Sequence, residues 1–287
     1  MAVIHILGAG TPTPTPDRFG SSYVVELSSE KIMIDCGPAT THKMVKAGLW
    51  PTEIDYLFFT HHHFDHDVDF PCFLLTRWDQ SIGIEKTLRI FGPTLTEKIT
   101  DGLLNENGGL FAHDWKTRVN NPDSQQAHVN RGGSLPRKPP NVIVKDIGPG
   151  VVYEGTNWKI TASEAEHVQP YLDSLAYRID SSEGSMVFTG DTQPCQSVID
   201  LSRNADIMVC MCWDDQESMN INGESYRQCG TVGAAEMAQK ARVKKLVLVH
   251  IGPNLSLHGK REKGIGDIKS IFDGDVVFSD ELMSVDV

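Results

Sequence analysis

Residues 60–66 read Thr-His-His-His-Phe-Asp-His, directly after the apolar run Tyr56-Leu57-Phe58-Phe59. Side chains two apart on an extended segment point to the same side, so His61 and His63 present their imidazoles together. Asp65 and His66 follow where the chain turns toward a helix, and reach a second point a few ångströms away. Two imidazoles for one ion, and a carboxylate with an imidazole for another, is the division a two-metal site requires, with ions about 3.5–4 Å apart. A surface histidine tag would not be internal, carry an aspartate at this offset or follow a buried strand. His62 and Asp67 flank the cluster at alternate positions and face away from it.

The elements that must position these groups are short β-branched and apolar runs with helical stretches between them, the mark of a mixed α/β chain. Strands are expected at 2–7, 23–27, 31–34, 56–60, 88–91, 142–147, 158–165, 176–179, 186–189, 207–211, 246–249 and 275–278. Helices are expected at 40–47, 70–77, 95–105, 196–203 and 232–241, the last from its apolar stripe at 234, 235, 237, 238 and 241. Three of the strands run onto further donors: 158–165 toward His167, 186–189 toward Asp191 and 246–249 into His250. Strand ends meet at one sheet edge, where loops are free to bind. Residues 106–141 break the rhythm with Asn, Gly, Pro and Gln, and hold Arg118, Arg131, Arg137 and Lys138. This loop-rich insert is expected to be a lid or a dimer arm, since Leu110, Phe111, Trp115 and Val119 give it something to bury; an RNA-binding arm is the other reading.

The H-x-H-x-D-H signature, followed by His, Asp and His after strands, resembles the metallo-β-lactamase superfamily. The resemblance is nearest to its tRNase Z branch, through Leu7-Gly8-Ala9-Gly10-Thr11-Pro12-Thr13-Pro14, Ser21-Ser22, Ile34-Asp35-Cys36-Gly37, Phe91-Gly92-Pro93 and Thr189-Gly190-Asp191-Thr192. It implies an αβ/βα four-layer sandwich over one domain, 1–287, and a hydrolase with two Zn2+ per chain, Mn2+ or Fe2+ being alternatives. Carried over residue by residue, it gives His61, His63 and His167 to one zinc, Asp65, His66 and His250 to the other, and Asp191 to both. Gly8-x-Gly10 is not a dinucleotide loop, because Thr13 stands where a third glycine is needed and prolines follow instead of a helix. Asp35 is either a partner that orients a ligand imidazole or a turn-forming aspartate before glycine.

The departures bear on substrate. In the tRNase Z branch a strand ends in H-E-A-T and a later H-S-T precedes a helix, with the Glu and His acting on the leaving group. Here Cys210 and Met211 take the places of His and Glu, and Cys229 replaces the later His. A thioether cannot relay a proton, and a thiol is a poor substitute for imidazole. The expected activity is therefore hydrolysis of a small, plausibly aromatic substrate: an ester, sulfate, phosphodiester, lactone or activated aryl halide. Asp65 or Asp191 would accept a proton from the nucleophile, His113 and Asp214 are candidate donors to the leaving group, and Trp213 and His128 are candidate substrate contacts. The other reading of Trp213 is a buried core tryptophan. The rival functions are a tRNA 3′-processing endoribonuclease and a non-catalytic zinc-binding or redox module.

Acidic residues number 38 against 26 basic, a formal charge of −12. Phosphate binding needs a basic face, so this balance sets the expectation against a nucleic-acid partner. The longest apolar run, 207–213, falls far short of the roughly 20 residues needed to span a bilayer. With no signal-like N-terminus and six cysteines in no framework spacing, the expectation is a cytoplasmic homodimer with free, buried thiols.

Overall fold

Alternation within the strands decides the layering. In β2 (Ser21–Glu26), Tyr23 and Val25 join one apolar cluster while Val24 joins another on the opposite face. In β4 (Ile54–Phe58), Tyr56 and Phe58 point one way and Leu57 the other; in β11 (Ile207–Met211), Ile207 and Val209 oppose Met208 and Cys210. Strands apolar on both faces must be covered on both faces. The computed structural model, which describes residues 2–28, 30–83 and 86–287, shows that covering.

Two seven-stranded sheets pack face to face. The first runs β14 (Met283–Asp286), β1 (Val3–Ala9), β2, β3 (Lys31–Ile34), β4, β5 (Leu88–Gly92), β6 (Val142–Asp146). The second runs β13 (Asp275–Phe278), β12 (Lys245–Val249), β11, β10 (Gly184–Phe188), β9 (Leu175–Ser181), β8 (Trp158–Glu164), β7 (Gly150–Glu154). Along these orders the first sheet has three antiparallel pairings and then three parallel ones, and the second sheet the reverse. Helices α1 (Thr40–Lys46), α3 (Phe70–Gln80) and α4 (Thr96–Leu104) cover the first sheet. Helices α7 (Gln196–Leu201), α9 (Thr231–Ala241) and α10 (Lys260–Lys269) cover the second, completing the expected αβ/βα sandwich.

The loop-rich expectation for 106–141 is corrected. It contains α5 (Ala112–Asn120) and α6 (Pro122–Asn130). The signal was legible in Asn121-Pro122: the Asn121 side chain accepts the Ser124 N–H at 3.0 Å, and Pro122 takes the first helical position, where its missing N–H costs nothing. The insert is also tied down. Arg118, Arg131 and Arg137 converge on Asp79 of α3 at 3.3, 3.1 and 2.7 Å. Strands β7 and β14, the short helix α2 (Phe64–Asp67), α8 (Gln216–Asn222) and α10 complete the fold beyond the expected set. The six cysteines are free, as expected, but Cys72 is exposed rather than buried.

Two tight passages position the turns. Cys36 N–H donates to the His66 carbonyl at 2.6 Å and Asp69 N–H to the Cys36 carbonyl at 3.1 Å, lashing the turn after β3 to α2. Gly37 sits where an added Cβ would collide with the Asp65 and Ser21 carbonyl oxygens, both backbone atoms with no room to yield. Gly37→Ala is expected to destabilise the fold by about 1–3 kcal/mol, the range for overpacking a tight interior, read from the urea midpoint of unfolding.

Candidate metal centre

The candidate ligands leave the chain where β4, β8, β10 and β12 end, at the carboxyl edge of the parallel strands, the usual binding edge of such sheets. His61 and His63 lie in the segment after β4, Asp65 and His66 in α2, His167 after β8, Asp191 after β10 and His250 after β12. The structure gathers these seven residues into two adjoining groups, His61, His63, His167 and Asp191, and Asp65, His66 and His250, with ligand atoms in each within 4.8 Å of one another. In the first, His61 Nε2 and His167 Nε2 approach His63 Nδ1 at 3.0 and 3.3 Å. Ligand nitrogens at about 2.0–2.1 Å from a tetrahedral zinc stand about 3.3 Å apart, so this spacing suits a shared ion. In the second, His250 Nε2 lies 3.3 Å from Asp65 Oδ2. Asp191 stands between the groups, with Oδ1 3.4 Å from His66 Nε2 and Oδ2 3.1 Å from His250 Nε2 and 3.9 Å from both His61 and His167 Nε2.

The outward ring nitrogens of three of the imidazoles are held by hydrogen bonds, which turns the other nitrogen of each toward the cluster, whereas His250 Nδ1 is buried without a partner. His66 Nδ1–H donates to Asp35 Oδ2 at 2.7 Å, His167 Nδ1–H to the Arg227 carbonyl at 3.0 Å, and His61 Nδ1–H to Thr60 Oγ1 at 3.1 Å. Asp35 also accepts the Thr60 N–H and O–H at 2.7 and 2.8 Å, so it acts as an orienting partner rather than only a turn residue. Asp35 and His250 both hold left-handed backbone, with φ 58° and 51°. Non-glycine residues enter that region at a cost of about 1–2 kcal/mol, and such strain gathers at functional sites.

Electrostatics describe a hollow for positive charge. Burial, with His66 beside it, holds the His61 imidazole well below its ordinary range. Burial and then His167 lower His63 as well. For His66, burial is outweighed by Asp191, Asp35 and Asp65, which hold it well above. For Asp191, burial is outweighed by His250 and His66, and its carboxyl falls well below the usual range. Asp65 Oδ1, His66 Nε2 and Asp191 Oδ1 are nevertheless buried without a hydrogen-bond partner. Buried polar atoms are rarely left so. Borderline imidazole and hard carboxylate donors fit divalent zinc, and Mn2+ or Fe2+ suit the same set.

The remaining candidates fall elsewhere. Trp213, half-buried after β11, has its ring 6.1 Å from that of His250 and donates Nε1–H to Glu224. Asp214 is buried, and both oxygens accept the Asn254 amide at 2.9 Å; one also accepts the Asp215 N–H, so it braces two loops. His113 is exposed on α5, facing a groove with Cys72 and Arg118. His128 is buried in a cavity between α3 and α6. Neither histidine is brought to the metal cluster, because the insert that carries them is fastened to the outer helix α3 and not folded over the edge. His62 turns away to Asp67 and Thr96 at 3.2 and 2.8 Å. Missed by sequence reasoning were Thr60, which precedes the cluster, and Arg227, whose carbonyl orients His167 from a loop without a motif.

At the departed positions the side chains are inert. Cys210, Met211 and Cys229 are buried. Met211 Sδ accepts the Thr192 N–H at 2.9 Å, and the Cys210 thiol beside it, with burial, pushes Cys229 well above the ordinary thiol range.

Residues 30–251 match the family described as the beta-lactamase superfamily domain, over three quarters of the chain. The chain belongs to that superfamily. Among its superfamily relatives, ribonuclease Z of Mycolicibacterium gilvum (strain PYR-GCK) is 27% identical across all of this chain and 96% of its own length. Ribonuclease Z of Mycobacterium avium (strain 104) is 27% identical across all of this chain and 99% of its own length. The fold resembles that of YhfI from Bacillus subtilis, a metallo-beta-lactamase fold protein, with a TM-score of 0.72 at 18% identity, covering 99% of this chain and 98% of the other. It also resembles the short form of human tRNase Z, with a TM-score of 0.68 at 20% identity and the same coverage. The chain is thus a metal-dependent hydrolase by superfamily, and its ribonuclease-named relatives run against the expectation that set nucleic acid aside.

Asp35→Asn is expected to lower metal affinity by about 10–100-fold, the usual effect of losing a histidine-orienting carboxylate. Competition against a chelating dye measures it; Asp214→Asn, which touches no candidate ligand, is expected to leave that affinity unchanged.

Proposed function

We propose that residues 1–287 form one catalytic unit, a dimetal phosphodiesterase of ribonuclease Z type whose first substrate is the 3′ region of a precursor tRNA. The observation that carries it is the pair of adjoining ligand groups with Asp191 between them. His61, His63 and His167 would hold one ion, Asp65, His66 and His250 the other, and Asp191 would serve both. Two divalent ions, when bound, acidify a water for attack and neutralise charge building on the phosphoryl oxygens. The chain's own part is positional. Asp35 and Thr60 fix His66 and His61, the Arg227 carbonyl fixes His167, and the Asp65 and Asp191 carboxylates would be the acceptors for a proton from the attacking water. The ribonuclease name of full-length relatives supports RNA.

A second reading rests on Cys210, Met211 and Cys229. With sulfur at those positions no buried imidazole or carboxyl is there to protonate a departing alkoxide, so leaving groups that depart as stable anions are favoured. That describes a small aromatic ester, with Trp213 beside His250 as a wall for its ring. Zinc is the proposed native metal. A reducing cytoplasm suits the unpaired thiols, and no helix among the described residues is long and apolar enough to cross a membrane. The homodimer is a proposal that light scattering on a sizing column checks.

The deciding experiment incubates zinc-loaded protein and its His61→Ala variant with a precursor tRNA at low salt, and with bis(p-nitrophenyl) phosphate and p-nitrophenyl esters. Cleavage at the tRNA 3′ side, lost by at least about 1,000-fold in the variant, is expected if the ions stabilise the transition state by several kcal/mol. Turnover of the aryl substrates alone would select the second reading. Equal inactivity of both proteins on every substrate would sink the hydrolase assignment at this site.

A further inference from the structure

A cavity of about 100 Å3 lies between the C-terminal half of α3, helix α6, the segment after it and the first residues of β5 and β6. It is remote from the metal edge: Leu88 and Val142 open their strands at its wall, whereas the ligands leave β4 beyond Phe58, which pairs with Phe91 near the far end of β5. Among the described lining residues Arg77, Lys86, Arg137 and Lys138 are cationic and none is acidic. Arg77 and Arg137 are buried, at 5% and 6% exposure. Arg77 spends its donors on the Ile54 and Lys86 carbonyls at 2.8 and 3.0 Å and lies 3.8 Å from Asp55, which also pairs with Lys86 at 3.3 Å, so Arg137 is the buried cation with donors left for a ligand. Arg137 gives one bond to Asp79 at 2.7 Å and lies over the Trp78 ring, 4.2 Å from its centroid. Its guanidinium has further N–H groups.

The decisive group is His128. It is 4% exposed, yet neither ring nitrogen has a hydrogen-bond partner. Its ring rests against Gly133, where any Cβ would strike it, so the backbone is shaped to keep the imidazole in the cavity wall. A buried imidazole offering an unmatched donor and acceptor, two buried guanidinium groups, an indole and an apolar floor of Leu74 and Leu88 together specify a ligand. Cavities of this order accept a single ring, and guanidinium groups recognise carboxylates through paired N–H donors.

We propose that this cavity is a second binding site, separate from the metal centre, for a small planar carboxylate carried on an aromatic ring. The carboxylate meets Arg137 and His128, and the ring lies along Trp78 and Leu74. The proposal stands independently of which bond the metal centre breaks.

Benzoate is the probe, titrated into zinc-loaded full-length protein and followed by calorimetry and by the ring resonances of labelled His128. Benzamide, its neutral isostere, and inorganic phosphate, which lacks a ring, are the comparisons. Saturable binding of one benzoate that shifts the His128 resonance is expected, with both comparisons weaker by at least about tenfold. Arg137→Gln is expected to weaken benzoate by at least about tenfold. Should that variant not fold, His128→Gln, which removes the other proposed partner of the carboxylate, carries the same test by calorimetry. The proposal is overturned if the His128 resonance does not move saturably up to the solubility of benzoate, as for a cavity holding only water. It is equally overturned if benzamide binds as tightly, or if the folded variants bind benzoate as the wild type does.

Discussion

Three carboxylates, Asp35, Asp65 and Asp191, are buried at one edge of the sandwich, and among the described residues none is paired with a lysine or arginine. Taking a carboxylate out of water costs several kcal/mol after relaxation. Among the described residues the ionisable bases beside these three are imidazoles, and burial works against their being charged, outweighed by the carboxylates at His66. The need for positive charge in that hollow is the constraint to which the nearby structure answers. The orienting bonds on His61, His66 and His167 and the left-handed backbone at Asp35 and His250 gather around it, and Gly37 gives the Asp65 carbonyl room to pass.

The two halves of the chain meet that demand unequally. The first half builds six strands of one sheet and borrows the C-terminal β14 to complete it, the second half builds the other, and both sheets have three antiparallel and three parallel pairings, although no sequence repeat announces it. The halves are stitched behind the hollow, where Leu175 N–H donates to the Thr60 carbonyl at 2.9 Å and the Tyr177 hydroxyl to the Phe59 carbonyl at 2.6 Å. These bonds join the last residues of β4's segment to β9. A shift of one sheet over the other would therefore be felt first at His61, the next residue along.

Much of this was legible because the signals were local. The spacing of His61, His63, Asp65 and His66 is a geometric statement on an extended segment running into a helix. The strands that end at His167, Asp191 and His250 are apolar runs with clear limits. The insert was less legible, since its helices are polar and only the Asn121-Pro122 start marks one of them. Strand β14 has four residues and alternates Met-Ser-Val-Asp, too short to stand out before its pairing with β1 is known. The role of Arg227 was hidden for a different reason: it acts through a carbonyl, which every residue possesses, so side-chain identity carried no hint. The misplacement of His113 and His128 has the same root, because chemistry-bearing residue types were noted without the tertiary anchors on Asp79 that carry them to another face.

The order of the ligands along the chain has a consequence for assembly. Four come from residues 61–66, and the rest come from far downstream: His63 meets His167 across 104 residues and Asp65 meets His250 across 185. During synthesis the first four candidate ligands would exist early, as half a cage able to hold an ion only loosely. Closure waits for β12 to emerge and pair. A cross-link closing about 100 residues removes roughly 4–5 kcal/mol of denatured-chain entropy in the simplest treatment. An ion bound across both halves would then act as a clasp fastened last, making metal supply a condition of finishing the fold as well as of running the reaction.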